Sequence, residues 1–197
     1  MGAPFNSAAI PSCSYDTPHL AMTYAALLSL LILQDDLNNV QVSTLSSPTH
    51  TNKQKDEIIK TLAKCQKEDG SFSPFVESSE SDMRFLFCAC AISAILNDWS
   101  GINQEKALSY IQKSQSFDGG FGTGPSRESH GGSTYCAVAA LCLLGKVNDG
   151  LVDCDRLLYW LISRQDQGFH GRINKPDDTC YGYWIGSCLN VLLTFVL

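Results

Sequence analysis

The sequence predicts an all-α fold of helical hairpins in tandem, and two observations predict it. First, a block of about forty-eight residues recurs. "TLAKCQKEDGSFS", "YIQKSQSFDGGFG" and "WLISRQDQGFHGR" each join an amphipathic helix to a Gln, a Gly-containing turn and a Phe, and Phe72, Phe121 and Phe169 stand 49 and 48 residues apart. Second, each block leads through a polar loop to a far more apolar stretch: "DMRFLFCACAISAIL" from Asp82, "HGGSTYCAVAALCLL" from His130 and "DTCYGYWIGSCLNVLL" from Asp178, with starts 48 and 48 apart. A helix apolar nearly all round has to be buried, whereas an amphipathic partner can face solvent. The apolar helices are therefore expected inside and the amphipathic ones outside.

Taken in order, "HLAMTYAALLSLLILQDDL" from His19 reads as a first inner helix whose outer partner is lost or lies upstream. Its apolar run, Leu20 to Leu33, is too short to span a bilayer. The polar, Pro-containing stretch from Asn38 to Glu57 reads as a solvated loop. Three outer–inner pairs follow, so residues 1–197 form one domain with a polar insertion at about 38–57. Periodicity alone favours an open solenoid scaffold over a closed ring.

A hydrophobic share of 44% with 17% charged residues is an ordinary globular balance over 197 residues. The net charge of −6 argues against a general role on nucleic acid or anionic membrane, so any anion site has to be local. "MGAPFNSAAIPSC" carries no basic leader or cleavable apolar segment, which points to the cytosol. Nine cysteines, an odd number set mostly in apolar stretches, fit reduced thiols packed as small hydrophobes.

Polar residues concentrate at the starts of the inner helices: Arg84, then "ESHGG" around His130, then "GRINKPDDTCYGYW" from Gly171 to Trp184. If equivalent helix ends share one side, they form a rim where free N–H groups and dipoles suit phosphate oxygens. Asp178 and Cys180 are two apart, a spacing that in a regular helix turns the side chains about 200° away from each other. They converge only if Asp178 lies outside the first turn. Carboxylate and thiolate are good zinc ligands, and the neighbouring bases and the dipole are expected to lower the thiol pKa. Taken alone, the same residues also read as a helix cap followed by a core cysteine.

"HLAMTY", "DGSF", "DMRF", "LNDWSGI", "ESHGGSTYC" and "GFHGRINKPDDTCYGYW" together resemble the beta subunits of protein prenyltransferases, the type I geranylgeranyl branch most closely, from about Phe5 to the C-terminus. The resemblance implies an alpha-alpha toroid, an alpha/alpha barrel with inner helices around an apolar funnel; here it would be a partial barrel. It implies zinc on Asp178 and Cys180, diphosphate binding by His130, Arg172, Lys175 and Tyr181, and an isoprenoid funnel using Arg84, Phe87, Cys136 and Trp184. Thr23 would stand where the farnesyl enzyme has a Trp, leaving room for the longer geranylgeranyl chain. Phe87 stands where relatives often have Tyr.

The implied reaction is transfer of geranylgeranyl from its diphosphate to the cysteine of C-terminal Cys-a-a-X tails, on proteins such as Rho-type small GTPases, by a heterodimer with an alpha subunit. Against that pattern, an opening repeat, a downstream histidine serving as third zinc ligand and a further diphosphate lysine are expected to be missing. The alternatives are a non-catalytic subunit that binds the alpha subunit or lipid, and a farnesyltransferase beta subunit. The D-x-D-D motif of toroidal terpene cyclases and the G-C-G-E-Q motif of thioester domains do not occur.

Overall fold

The computed structural model describes residues 19–34 and 51–196. Among these, seven α-helices and no β-strand occur: α1 (Leu20–Ile32), α2 (Thr51–Cys65), α3 (Met83–Leu96), α4 (Gln104–Ser114), α5 (Gly131–Leu143), α6 (Cys154–Ile162) and α7 (Thr179–Phe195). The apolar helices pack as a row, α1 on α3, α3 on α5 and α5 on α7, with α2 against α3 and α6 against α7. Burial follows the predicted division at α3 and α5, whereas α1 and α7, at the two ends of the row of described helices, bury only Leu20 and Leu27, and Ile185, Cys188 and Leu192. α3 buries nine residues from Met83 to Ser93, whereas α4 buries only Ala107, Tyr110, Ile111 and Ser114, one stripe at helical spacing.

The inner helices all begin in the same way. His19, Asp82, His130 and Asp178 are N-caps with extended backbone, and each side chain accepts the N–H of the residue two positions on. Such a bond satisfies one of the orphan donors of a first turn. The residue after the cap then reaches sideways. Leu20 N donates to Pro74 O, Met83 N to Thr123 O and Gly131 N to Gly171 O, at 2.8, 2.9 and 2.9 Å. Each of these acceptors lies in the turn that leads into the next inner helix. Consecutive helix N-termini are thereby stitched together on one side of the array.

The outer layer is registered by the repeated glutamine. Gln66 gives its amide to Asn103 O and takes Asn103 N, and Gln115 does the same with Asp153, at 2.8–3.0 Å. Asn103 and Asp153 are themselves the N-caps of α4 and α6. The turns that follow hold Gly70 and Gly119 at φ of 93° and 99°, and a Cβ at either would run into the backbone carbonyl of Lys106 or Arg156. Glycine is required there both by conformation and by the approach of the next outer helix. Phe72 and Phe121 end these turns fully buried, whereas Phe169, covered by no later repeat among the described residues, is half-buried.

The boundary of the polar insertion needs correction. Thr51–Glu57 is helical, because α2 runs from Thr51 to Cys65, and only 38–50 of the expected loop remains, outside the described residues. Polar but helix-competent residues such as Lys55 and Glu57 extend the solvent face of an amphipathic helix, and polarity alone had masked that. His50 and Asp35-Asp36 also lie outside the described residues. Of the cysteines described, all are free, and Cys65, Cys88, Cys90, Cys136 and Cys188 are buried as expected. No helix of the described residues is long and apolar enough to cross a membrane.

Candidate functional site

The stitched N-termini form a polar rim, richest at α5 and α7. His130 caps α5 through Nδ1, which accepts Gly132 N at 3.0 Å, and its Nε2 lies 3.0 Å from the Tyr181 hydroxyl. The Tyr181 ring lies in a slot bounded by two glycines. An added Cβ at Gly131 would come within 2.8 Å of Tyr181 Cδ1, and one at Gly171 would overlap Cζ, Cε1 and Oη. Two adjacent repeats each omit a side chain to hold this ring. Arg172 extends along the same rim and pairs with Glu128 at 3.2 Å, and Lys175 is exposed on the same loop. Burial, and then the Arg172 guanidinium, hold the His130 imidazole below its ordinary range, with Glu128 opposing. Burial pushes the Tyr181 phenol up, as do Cys180 and Asp178, against Arg172.

Asp178 is the cap of α7 and lies outside its first turn, as the D-x-C pair requires, and its Oδ1 accepts the Cys180 backbone N–H at 2.9 Å. Both side chains are exposed. The expected lowering of the thiol pKa is not observed. Desolvation and the adjoining Asp178 carboxylate raise it, since an anion beside a thiol disfavours the thiolate. The donor pair fits zinc chemistry, but a catalytic zinc uses three protein ligands, and no group of three metal-ligating side chains occurs among the described residues.

Beside the rim runs an apolar groove of about 610 Å³, within the range of small-molecule sites. It is lined from the inner helices alone, at repeating offsets from their caps. The fifth residue after each cap is aromatic: Tyr24, Phe87, Tyr135 and Tyr183. Their rings form a ladder across four helices, with centroids 5.4, 5.6 and 5.4 Å apart in tilted and edge-to-face contacts. The Tyr135 and Tyr183 hydroxyls meet at 3.0 Å. One turn deeper stand Leu28, Ala91, Ala139 and Ser187, and beyond them Ile95, Leu143 and Val191. The groove is narrowed by rings near the rim and opened by small residues at mid-depth.

The structure thus brings His130 to Tyr181 and Asp178 to Cys180, with Arg172 and Lys175 on the same rim. Of the expected isoprenoid residues, Phe87 lines the groove, and Thr23, Cys136 and Trp184 each adjoin a lining residue, Tyr24, Tyr135 and Tyr183. Thr23 binds the His19 carbonyl through its hydroxyl, Cys136 is buried between helices, and Arg84 pairs with Glu80 and Asp82. Trp184 meets Tyr135 in a tilted contact and Tyr183 edge-to-face, both with centroids 4.9 Å apart. The aromatic lining of this groove is legible in the sequence, since "HLAMTY", "DMRFLF", "HGGSTY" and "DTCYGY" all end on an aromatic.

With that geometry, three comparisons agree. The prenyltransferase alpha-alpha toroid domain matches residues 3–196. The geranylgeranyl transferase type-1 subunit beta of Arabidopsis thaliana is 42% identical over 185 residues, 88% of this chain and 46% of the relative. Its Dictyostelium discoideum counterpart is 44% identical over 179 residues, 90% and 47%. The chain therefore spans about half the length of these relatives. Among solved structures, Candida albicans protein geranylgeranyltransferase-I complexed with GGPP superposes with a TM-score of 0.77 at 28% identity, over 93% of this chain and 56% of that one.

Proposed function

The chain belongs to the prenyltransferase alpha-alpha toroid family, and from that premise we propose that it serves as the beta subunit of a type I protein geranylgeranyltransferase. In this reading residues 1–197 are one domain, paired with an alpha subunit in the cytoplasm. Together they transfer geranylgeranyl from its diphosphate to the cysteine of C-terminal Cys-a-a-X tails, as on Rho-type small GTPases. One observation carries the reading: an apolar groove whose aromatic end lies beside a rim bearing His130, Tyr181, Arg172 and Lys175. A prenyl diphosphate has that same division, a long apolar tail on a dianionic or trianionic head.

The tail is held by the groove, where each CH₂ removed from water contributes about 0.8 kcal/mol. The ring ladder of Tyr24, Phe87, Tyr135 and Tyr183 excludes water next to the reacting end. As the carbon–oxygen bond to the diphosphate breaks, negative charge grows on the leaving oxygens. In this reading His130, Arg172, Lys175 and the Tyr181 hydroxyl, on one rim, stabilise that charge, helped by the α5 and α7 N-termini. Arg172 exchanges Glu128 for the ligand.

Asp178 and Cys180 would supply two zinc ligands, with the remaining protein ligand from outside the described residues. When bound, zinc would keep an incoming thiol deprotonated near neutral pH. Cys180 is then a ligand and not a nucleophile. The test is transfer to a Cys-a-a-Leu peptide by the chain coexpressed with an alpha subunit and supplied with zinc. Transfer that disappears in Cys180→Ala supports the reading. Lipid and alpha-subunit binding without transfer supports a non-catalytic subunit, and preference for farnesyl diphosphate a farnesyl enzyme.

A further inference from the structure

Breaking an allylic carbon–oxygen bond separates charge in two directions. The bonding pair leaves with the diphosphate, and a partial positive charge stays on the carbon end, spread over the allyl unit. Basic groups on the rim suit the first charge. The second has to be met by the groove, whose lining holds no carboxylate among the described residues. What the groove holds nearest the rim is a row of rings. Tyr135 and Tyr183 stand five residues after the caps His130 and Asp178, about one and a half helical turns below the rim. Tyr183 also follows Cys180 by three residues, which makes the two neighbours on the surface of α7.

Resting on the proposed transfer from a prenyl diphosphate, we propose that Tyr135 and Tyr183 are catalytic residues whose ring faces stabilise the positive charge that develops on the allylic carbons. A ring face is negative through its quadrupole and attracts a cation within about 6 Å of the centroid. It does so without the lone pair by which a carboxylate would capture the carbon. Atoms and electrons balance within the transfer itself. The diphosphate departs with the old bonding pair, the substrate thiolate supplies the pair of the new carbon–sulfur bond, and the rings form no bond.

The two rings are held in place. Their hydroxyls bond each other at 3.0 Å, with centroids 5.4 Å apart, and Trp184 touches both at 4.9 Å. Tyr183 keeps 57% of its surface exposed, so a ring face is open to a ligand. Burial, and then the bond to Tyr183, push the Tyr135 phenol up, so it stays protonated and offers no competing nucleophile.

The test is calorimetric titration of the full chain, with inorganic pyrophosphate present, using two probes of nearly one shape. One is protonated geranylgeranyl dimethylamine, which carries its charge beside the allyl unit, and the other is the uncharged geranylgeranyl methyl ether. Tyr183→Phe keeps the ring, and placing three fluorines on that phenylalanine keeps its shape while cancelling the negative face. The preference for the ammonium over the ether is expected to be the same in the native chain and Tyr183→Phe, and to fall about tenfold on fluorination with ether binding unchanged. The pull of pyrophosphate on the ammonium is common to all variants and drops out of the comparison. In the heterodimer, the same fluorination is expected to slow single-turnover transfer about tenfold without weakening geranylgeranyl diphosphate.

An ammonium preference or a transfer rate indifferent to fluorination would overturn the proposal. Failure of the unaltered, folded chain to bind either probe would instead overturn the groove reading, and the role of the rings with it. Thermal melts that match between Tyr183→Phe and its fluorinated form exclude a loss of fold as the cause.

Discussion

Gly171 tests how tightly the rim is built. Its backbone is not in the left-handed region, so alanine is conformationally acceptable there, and any effect is steric. A Cβ at this position would overlap Cζ, Cε1 and Oη of Tyr181. Regaining an ordinary separation of about 3.5 Å requires the ring or the loop to move by more than about 1 Å. The ring therefore has to shift, and its hydroxyl is drawn away from its 3.0 Å contact with His130 Nε2. Overpacking of this size costs about 1–3 kcal/mol. Part of that is offset by the about 0.4–1 kcal/mol that alanine gains through the unfolded chain. We therefore expect a modest fall in Tm, together with about tenfold or greater weakening of pyrophosphate binding. Calorimetric titration and thermal melts of Gly171→Ala measure both. In a Tyr181→Phe background the same alanine should cost little further binding. Wild-type affinity in Gly171→Ala would refute the slot, and with it the idea that two repeats jointly aim this hydroxyl.

Three further outcomes follow from the same geometry. Asp82→Ala removes the α3 cap and the Arg84 partner, and should lower stability by about 1–2 kcal/mol in chemical denaturation, with Asp82→Asn losing less. Because the folded state holds the His130 pKa below its unfolded value near 6.5, its contribution is fully present above that pH and is lost as pH falls through the folded pKa. Thermal melts of the native chain should therefore fall more steeply below pH 6.5 than those of His130→Asn. Ala139→Phe fills the groove at mid-depth, and should abolish binding of geranylgeranyl diphosphate by titration while leaving pyrophosphate binding unchanged.

The sequence exposed the architecture because a repeat writes the same physical problem several times. Apolar helices at 48-residue spacing had to be inner, and the shared positions of Asp82, His130 and Asp178 identified the caps before any contact was known. One error had a local cause. Polarity in "TNKQKDE" looked like loop because a solvent-facing first turn and a loop share composition. Alignment on the caps places Tyr24, Phe87, Tyr135 and Tyr183 at one offset, which makes the aromatic ladder legible. The Gly131–Gly171 slot was beyond reach, since it depends on two repeats approaching the same ring.

The central claim is that groove and rim are one site for one amphiphilic ligand. Calorimetric titration with geranylgeranyl diphosphate, alongside inorganic pyrophosphate and geranylgeraniol, tests it most directly. The account predicts that the whole molecule binds more than about a thousandfold tighter than pyrophosphate, as burial of even five CH₂ groups would give. It also predicts that pyrophosphate and geranylgeraniol each compete with it. Equal affinity for geranylgeranyl diphosphate and pyrophosphate, or tail binding that ignores the diphosphate, would mean that the groove and the rim do not serve the same ligand.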